Sequence, residues 1–232
     1  MTTPHTAPRT ALFLIGSAKP AGASSSESLG TYLMERLAQR GVTTEIYHVA
    51  HVMRTEARIQ AFLTALDHTD LFVLAYPLYV DSPPYLVVEV LERIAAHRQA
   101  QSAPTPANFL AIANCGFPEA RHNATSLAIC EQFAAEAGFH WTGGLALGEG
   151  GVIHGQALAK AGGIVHNVVA TLDQVAAALA TGIPLPADAA AHMAQPLMPD
   201  LAYMLVGDLG WLMEARRHRV LTRLGARPFQ KT

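Results

Sequence analysis

The first segment with the residue types for chemistry is Gly16-Ser17-Ala18-Lys19-Pro20-Ala21-Gly22-Ala23-Ser24-Ser25-Ser26-Glu27, which follows a short apolar run and leads into helical spacing. Backbone N–H groups at a helix start, the helix dipole and serine hydroxyls can together hold a phosphate monoester without an arginine clamp. The plainer reading is a flexible turn with Ser26 as the N-cap. A second segment, Tyr76-Pro77-Leu78-Tyr79-Val80-Asp81-Ser82-Pro83-Pro84, is a stiff loop that sets aromatic and aliphatic groups beside backbone amides, as a flat heteroaromatic ring requires. A third, Asn114-Cys115-Gly116-Phe117-Pro118-Glu119, offers a glycine that lets a ligand approach the backbone. A fourth runs from Gly148 to Gly155 and includes Gly150 and Gly151, a wall rich in backbone groups. Each loop alone reads equally well as turn chemistry.

Other chemistries lose their main support. The serine loop is neither GxGxxG nor GxxxxGK[ST], and no GxSxG elbow is present. Strands ending in Ile15-Gly16-Ser17 and Ala75-Tyr76-Pro77 lack the acids that a magnesium-dependent phosphoacceptor needs. His48 and His51 are a close pair without a third ligand nearby, so no metal site is expected. His122 and His154 lie in candidate loops and could touch substrate. Cys115 has no CxxC partner and reads as a small residue at a strand end.

The elements that position these loops are legible as alternating patterns. Short β-branched and aliphatic runs at residues 10–15, 43–49, 71–76, 108–114 and 141–147 predict five strands. The first, third and fourth are nearly continuous apolar runs, as expected for central strands covered on both faces. Helical spacing occupies 29–40, 56–66, 85–97, 124–137 and 158–180 between and after them. The pattern predicts an α/β domain with a parallel sheet, over residues 1–182. In such a sheet ligands bind outside the carboxyl ends of the strands, where all four loops would fall together.

Residues 183–232 read as a proline-rich connector over the surface followed by a C-terminal helical extension. In that extension Leu201, Met204, Leu205, Leu209, Leu212 and Met213 form an apolar stripe, followed by Arg216, Arg217, Arg219, Arg223 and Arg227. This predicts a docking or dimer helix, hence at least a homodimer. Asp200, Asp208 and Glu214 argue against a membrane-surface helix.

Half of the 232 residues are hydrophobic and 15% are charged, which excludes disorder and implies extensive burial. A formal net charge of -2 leaves no electrostatic footprint for nucleic acid. Cys115 and Cys130 form no disulfide framework, and the polar N-terminus and short first apolar run suggest neither an export signal nor a membrane span. The expectation is a soluble cytoplasmic protein.

The segments GSAKPAGASSSESLG, YPLYVDSPP, NCGFPEARHN and GGLALGEGGVIHG, in this order and spacing, resemble the NAD(P)H-dependent FMN reductase and flavodoxin-like superfamily, particularly its flavodoxin-family oxidoreductase branch. The resemblance covers Thr10 to about Gly182, and GWLMEARRHR and LGARPF near the C-terminus are less diagnostic. It implies a three-layer αβα domain with a five-stranded parallel sheet in order 2-1-3-4-5. It also implies non-covalent FMN, with the phosphate at Ser17, Ser24, Ser25 and Ser26 and the ring against Pro77, Leu78, Tyr79, Val80, Asn114, Cys115, Gly116 and Phe117. Lys19 stands in the phosphate loop, and Gly150 and Gly151 in the remaining wall. Many relatives carry an Arg and an Asn in the first loop, where this chain has Lys19 and serines. The iron–sulfur branch has a compact cysteine motif that is absent here. The implied activity is electron transfer from NAD(P)H to a small acceptor such as a flavin or quinone, with no assigned catalytic side chain. An electron carrier of flavodoxin type is the alternative; it usually docks through a strongly acidic surface, which this chain lacks. A non-catalytic interaction module would leave these loops idle.

Overall fold

A computed structural model describes residues 7–227. Five parallel strands form one sheet in the order β2-β1-β3-β4-β5: β1 (Thr10–Ile15), β2 (Thr43–His48), β3 (Leu71–Pro77), β4 (Asn108–Asn114) and β5 (His140–Leu147). The helices are α1 (Ser25–Ala38), α2 (Val49–Val52), α3 (Glu56–Asp67), α4 (Tyr85–Gln99), α5 (Ala124–Glu136), α6 (His166–Thr181), α7 (Ala189–Met193) and α8 (Asp200–Arg217). The strands pair in a register that levels Ile15 with His48 and Ala75, and Asn114 with Pro77 and Leu147. The four candidate loops therefore leave one edge of the sheet.

Alternation along the strands divides the core in two. Phe13, Ile15, Val73, Leu110 and Leu145 face one layer with Leu29 and Leu33 of α1 and Val168, Leu172 and Val175 of α6. Leu12, Leu14, Phe72, Phe109 and Ala111 face the other, with Phe62 of α3, Val90 and Ile94 of α4, and Phe133 of α5. Phe72 and Phe109 stack with ring centroids 5.1 Å apart. Residues 162–181 include α6 and are long and apolar enough to cross a membrane, but Val168, Leu172, Val175 and Leu179 of α6 are buried in this core. Its apolarity serves the interior of the domain.

Three segments differ from the sequence expectation. Helix α1 begins at Ser25, not Leu29, because Ser24 is its N-cap: the Ser24 hydroxyl accepts from the Glu27 N–H at 3.1 Å. Ser26 lies inside the helix. The segment expected as one helix over 158–180 starts as two short 3₁₀ turns, 158–160 and 162–165, before α6 begins at His166. Gly162, at φ 73°, breaks the α-helical path there.

The expected surface connector is the third difference. The compact unit continues through Leu197, and Ala189 and Met193 of α7 are buried in the α6 layer. The prolines bend this segment without removing it from the core. A second unit begins at Met198 and contains α8 followed by a 3₁₀ turn, Leu221–Arg223. In this unit Val220 N–H returns to the Ala215 carbonyl at 2.9 Å, closing the end of α8. Of the LGARPF segment, Pro228 and Phe229 lie outside the described residues.

Candidate functional site

The serine loop leaves β1 at Gly16, whose N–H donates to the Ala75 carbonyl at 2.8 Å. Residues 18–23 are exposed, and Gly22 turns the chain at φ 78°. The Glu27 side chain folds back along the loop: one carboxylate oxygen accepts the Gly22 N–H at 2.6 Å and the other meets His48 Nε2 at 3.0 Å. Ser24 with Glu27 is thus a variant of the capping box, in which the acid three residues into the helix secures the preceding loop. Sequence reasoning passed over this role of Glu27, although the S-x-x-E spacing carried it.

The hydroxyls are less available than the sequence suggests. Ser24 caps α1; Ser25 Oγ donates to the Gly150 carbonyl at 2.6 Å; and Ser26 Oγ accepts from Asn114 Nδ2 at 2.7 Å. Ser17 is buried and its Oγ accepts the Lys19 N–H at 3.2 Å. Lys19 itself is exposed, beside a cavity of about 730 Å³ shared with Tyr47, His51 and Arg54. An anion here would meet chiefly the backbone: the first N–H groups of α1, at Ser25 and Ser26, have no acceptor within the helix.

Asn114 and Gly150 act as braces. Asn114 is buried, and its amide also donates to the Tyr76 carbonyl at 3.0 Å, joining the ends of β3 and β4 to α1. Gly150 is buried between Asn114 and Cys115, and its N–H donates to the Cys115 carbonyl at 2.8 Å. Gly151 is exposed. Further along, Gly155 at φ 75° sits so close to the serine loop that a Cβ would lie 2.7 Å from the Ala23 carbonyl carbon. The loop after β5 is therefore clamped to the serine loop.

The loop after β3 has the opposite character. Leu78 N–H donates to the Asn114 carbonyl at 2.8 Å, which ties the base of the loop to β4. Tyr79 and Ser82 exchange backbone hydrogen bonds at 3.0 and 3.2 Å around a two-residue turn with Val80 at φ 49° and Asp81 at φ 62°. Such a turn favours glycine or asparagine at these positions, and a β-branched valine at positive φ is strained. Val80 is 97% exposed and Tyr79 50% exposed. Pro77, half-buried, ends β3 beneath them.

In the loop after β4, Gly116 is exposed and Phe117 is 57% exposed, its ring 4.6 Å from that of His122. Cys115 is buried, and burial pushes its thiol pKa up while Asn123 Nδ2 contacts its sulfur at 3.4 Å. Asn123 also donates to the Ala120 and Leu147 carbonyls at 3.0 and 3.2 Å. It holds the loop closed from beneath, a task no motif announced. Glu149 was missed as well: it is fully buried at φ 54°, and one carboxylate oxygen accepts the Leu197 N–H. His154 is exposed at φ 47°.

The site thus pairs a helix start suited to an anion with an apolar, exposed platform of Tyr79, Val80 and Phe117 at the same sheet edge. The first feature suits an anion and the second a flat apolar group. No family model and no curated protein matches the sequence. Solved structures do match the fold. A flavodoxin from Streptococcus pneumoniae TIGR4 superposes with a TM-score of 0.52 at 10% identity, over 74% of this chain and 97% of its own. The chain has a flavodoxin-like fold. An FMN-dependent NADH-azoreductase from Bacillus anthracis str. Ames Ancestor, solved in complex with FMN, gives a TM-score of 0.52 at 12% identity over 74% and 99%. An NAD(P)H:quinone oxidoreductase from Methanothermobacter marburgensis gives 0.53 at 12% identity over 72% and 97%. The rubredoxin oxygen:oxidoreductase of Desulfovibrio gigas is matched over 35% of its longer chain.

Proposed function

We propose that this chain binds FMN without a covalent link and passes electrons from NAD(P)H to a small, flat acceptor such as a flavin or quinone. The observation that carries this reading is the meeting, at one sheet edge, of the α1 start with the exposed Tyr79, Val80 and Phe117. The names of the similar azoreductase and quinone oxidoreductase lend it support. When bound, FMN supplies hydride and one-electron chemistry. The chain's own residues bind and orient: Ser25 and Ser26 N–H hold the phosphate, Glu27 fixes the loop around it, and Tyr79 and Phe117 shield the ring from water. The Val80–Asp81 turn, with both residues at positive φ, lies at the same edge and would border the ring. With 16 basic and 18 acidic residues the surface lacks the strong acidity of a carrier that docks on proteins, which favours a small acceptor in the cytoplasm.

Anaerobic titration of the FMN-loaded protein with NADH and with NADPH tests the reading. Bleaching of the flavin within minutes is expected, as is much tighter binding of FMN than of riboflavin. Tyr79→Ala should impair acceptor reduction more than FMN affinity. Equal affinity for FMN and riboflavin would remove the phosphate assignment. Bleaching by dithionite but not by either nicotinamide would replace the reductase with a carrier.

A further inference from the structure

We propose that the cavity between the serine loop and α2 receives the adenosine end of the dinucleotide donor and holds its 2′-phosphate, so that NADPH is preferred to NADH. This deepens the reading of the chain as a flavin reductase and rests on it. The cavity measures about 730 Å³ and lies at the end of the edge strand β2. It is lined by Lys19 of the serine loop, His48 at the end of β2, His51 of α2 and Arg54 just beyond, and by no carboxylate.

The charges in this cavity have no partner of their own. Among the described residues the side chains of Lys19, His51 and Arg54 have neither a hydrogen bond nor an ion pair. Arg36, Arg93 and Arg121, in contrast, each meet a carboxylate, on Asp173, Glu56 and Glu119. The two acids nearest in sequence are already engaged: Glu27 by His48 and the Gly22 N–H, and Glu45 by the Tyr47 hydroxyl, which donates to it at 3.0 Å. In a chain of formal net charge -2, such a group is not the overflow of a basic surface. Lys19 and Arg54 on one concave wall repel each other, and a doubly charged anion turns that repulsion into attraction. Ile46, Ala50 and Tyr47 add an apolar wall, the Tyr47 ring being set edge-on against Phe62 at 5.3 Å. A phosphate beside a flat base suits such a lining.

Sheet order supplies the reach. The platform of Tyr79, Val80 and Phe117 stands after β3 and β4, and the register brings the ends of all four strands to the same edge as His48. At about 4.8 Å per strand, the cavity lies about 12 Å across the sheet from that platform. Two riboses and a pyrophosphate separate the nicotinamide of the donor from its adenine, a length that bridges this gap. With the nicotinamide at the platform, the adenosine end falls at β2. NADH carries a hydroxyl there, from which neither cation gains. NADPH carries a phosphate monoester, which Arg54 can take through two N–H groups and Lys19 as a point charge.

Calorimetry of the full chain, with adenosine 2′,5′-bisphosphate and 5′-AMP as probes, reads the site without turnover. The bisphosphate should bind at least tenfold more tightly, and the preference should shrink as salt is raised. Arg54→Ala should remove the preference, and Arg54→Lys should restore part of it, with FMN affinity and far-UV circular dichroism unchanged in both. In turnover, Arg54→Ala should raise the KM for NADPH about tenfold while kcat and the KM for NADH hold. Equal affinity for the two probes overturns the site, even where both nicotinamides bleach the flavin. A preference that survives Arg54→Ala overturns it as well, and so does a loss of FMN affinity as large as the loss of bisphosphate affinity, since the cavity would then serve the cofactor's own phosphate. A preference that Arg54→Ala abolishes, in a protein whose flavin neither nicotinamide bleaches, supports the phosphate site and overturns the reductase.

Discussion

Replacing Asn114 with alanine tests whether the site is held together by a buried brace. The Asn114 amide donates to Ser26 Oγ at 2.7 Å and to the Tyr76 carbonyl at 3.0 Å, with all three residues buried. Two hydrogen bonds at about 1 kcal/mol each, plus about 1 kcal/mol for a desolvated carbonyl left without its donor, give a loss of about 3 kcal/mol. Ser26→Ala removes one of the same bonds and should cost about 1 kcal/mol. Because the two substitutions share that bond, the double variant should also lose about 3 kcal/mol, a coupling of about 1 kcal/mol. Urea denaturation of the four proteins without FMN reads these values directly. At a slope of about 2 kcal/mol/M the Asn114→Ala midpoint should fall by about 1.5 M. Additivity within about 0.3 kcal/mol, or a loss below about 1 kcal/mol for Asn114→Ala, would refute the brace. Repetition with FMN should show a weaker stabilisation by the cofactor in Asn114→Ala, since α1 then loses its tie to β3 and β4.

Other expectations are as direct. Val80→Gly relieves a valine held at φ 49° and should raise the melting temperature, the released strain of about 1–2 kcal/mol outweighing the added chain entropy of about 1 kcal/mol. Gly155→Ala places a Cβ 2.7 Å from the Ala23 backbone at φ 75°; a destabilisation of about 2–3 kcal/mol and at least a tenfold loss of FMN affinity should appear in thermal melts and fluorescence titration. Neither thiol should react with a disulfide reagent at neutral pH in the native protein: Cys115 is buried with its pKa raised, and burial pushes Cys130 up to about 11. Rapid labelling of one thiol per native chain would contradict that.

The sheet was legible because continuous apolar runs at 10–15, 71–76 and 108–114 have few alternatives to central strands. The start of α1 was not, since Ser25, Ser26 and Glu27 carry no apolar period and only the cap geometry defines the turn. Helix α7 was hidden for a related reason: five residues between prolines show no periodicity, yet Ala189 and Met193 reach the core. The candidate loops were found from glycine, serine and aromatic content alone. Which of their polar groups remain for a ligand was beyond that reading, because the partner of Ser26 is 88 residues away and that of Ser25 is 125 residues away. Pairings at such separation are decided by strand order, and a local pattern carries no trace of them.

The clamp between the serine loop and the loop after β5 also orders events during synthesis. Ser25 leaves the ribosome early, but the Gly150 carbonyl and the Gly155 turn that lock its loop emerge only after β5 is made. A nascent chain that stops at β4 carries the serine loop without its restraint. Closure of that loop therefore belongs to the completed sheet, whatever the order in which the earlier strands pair.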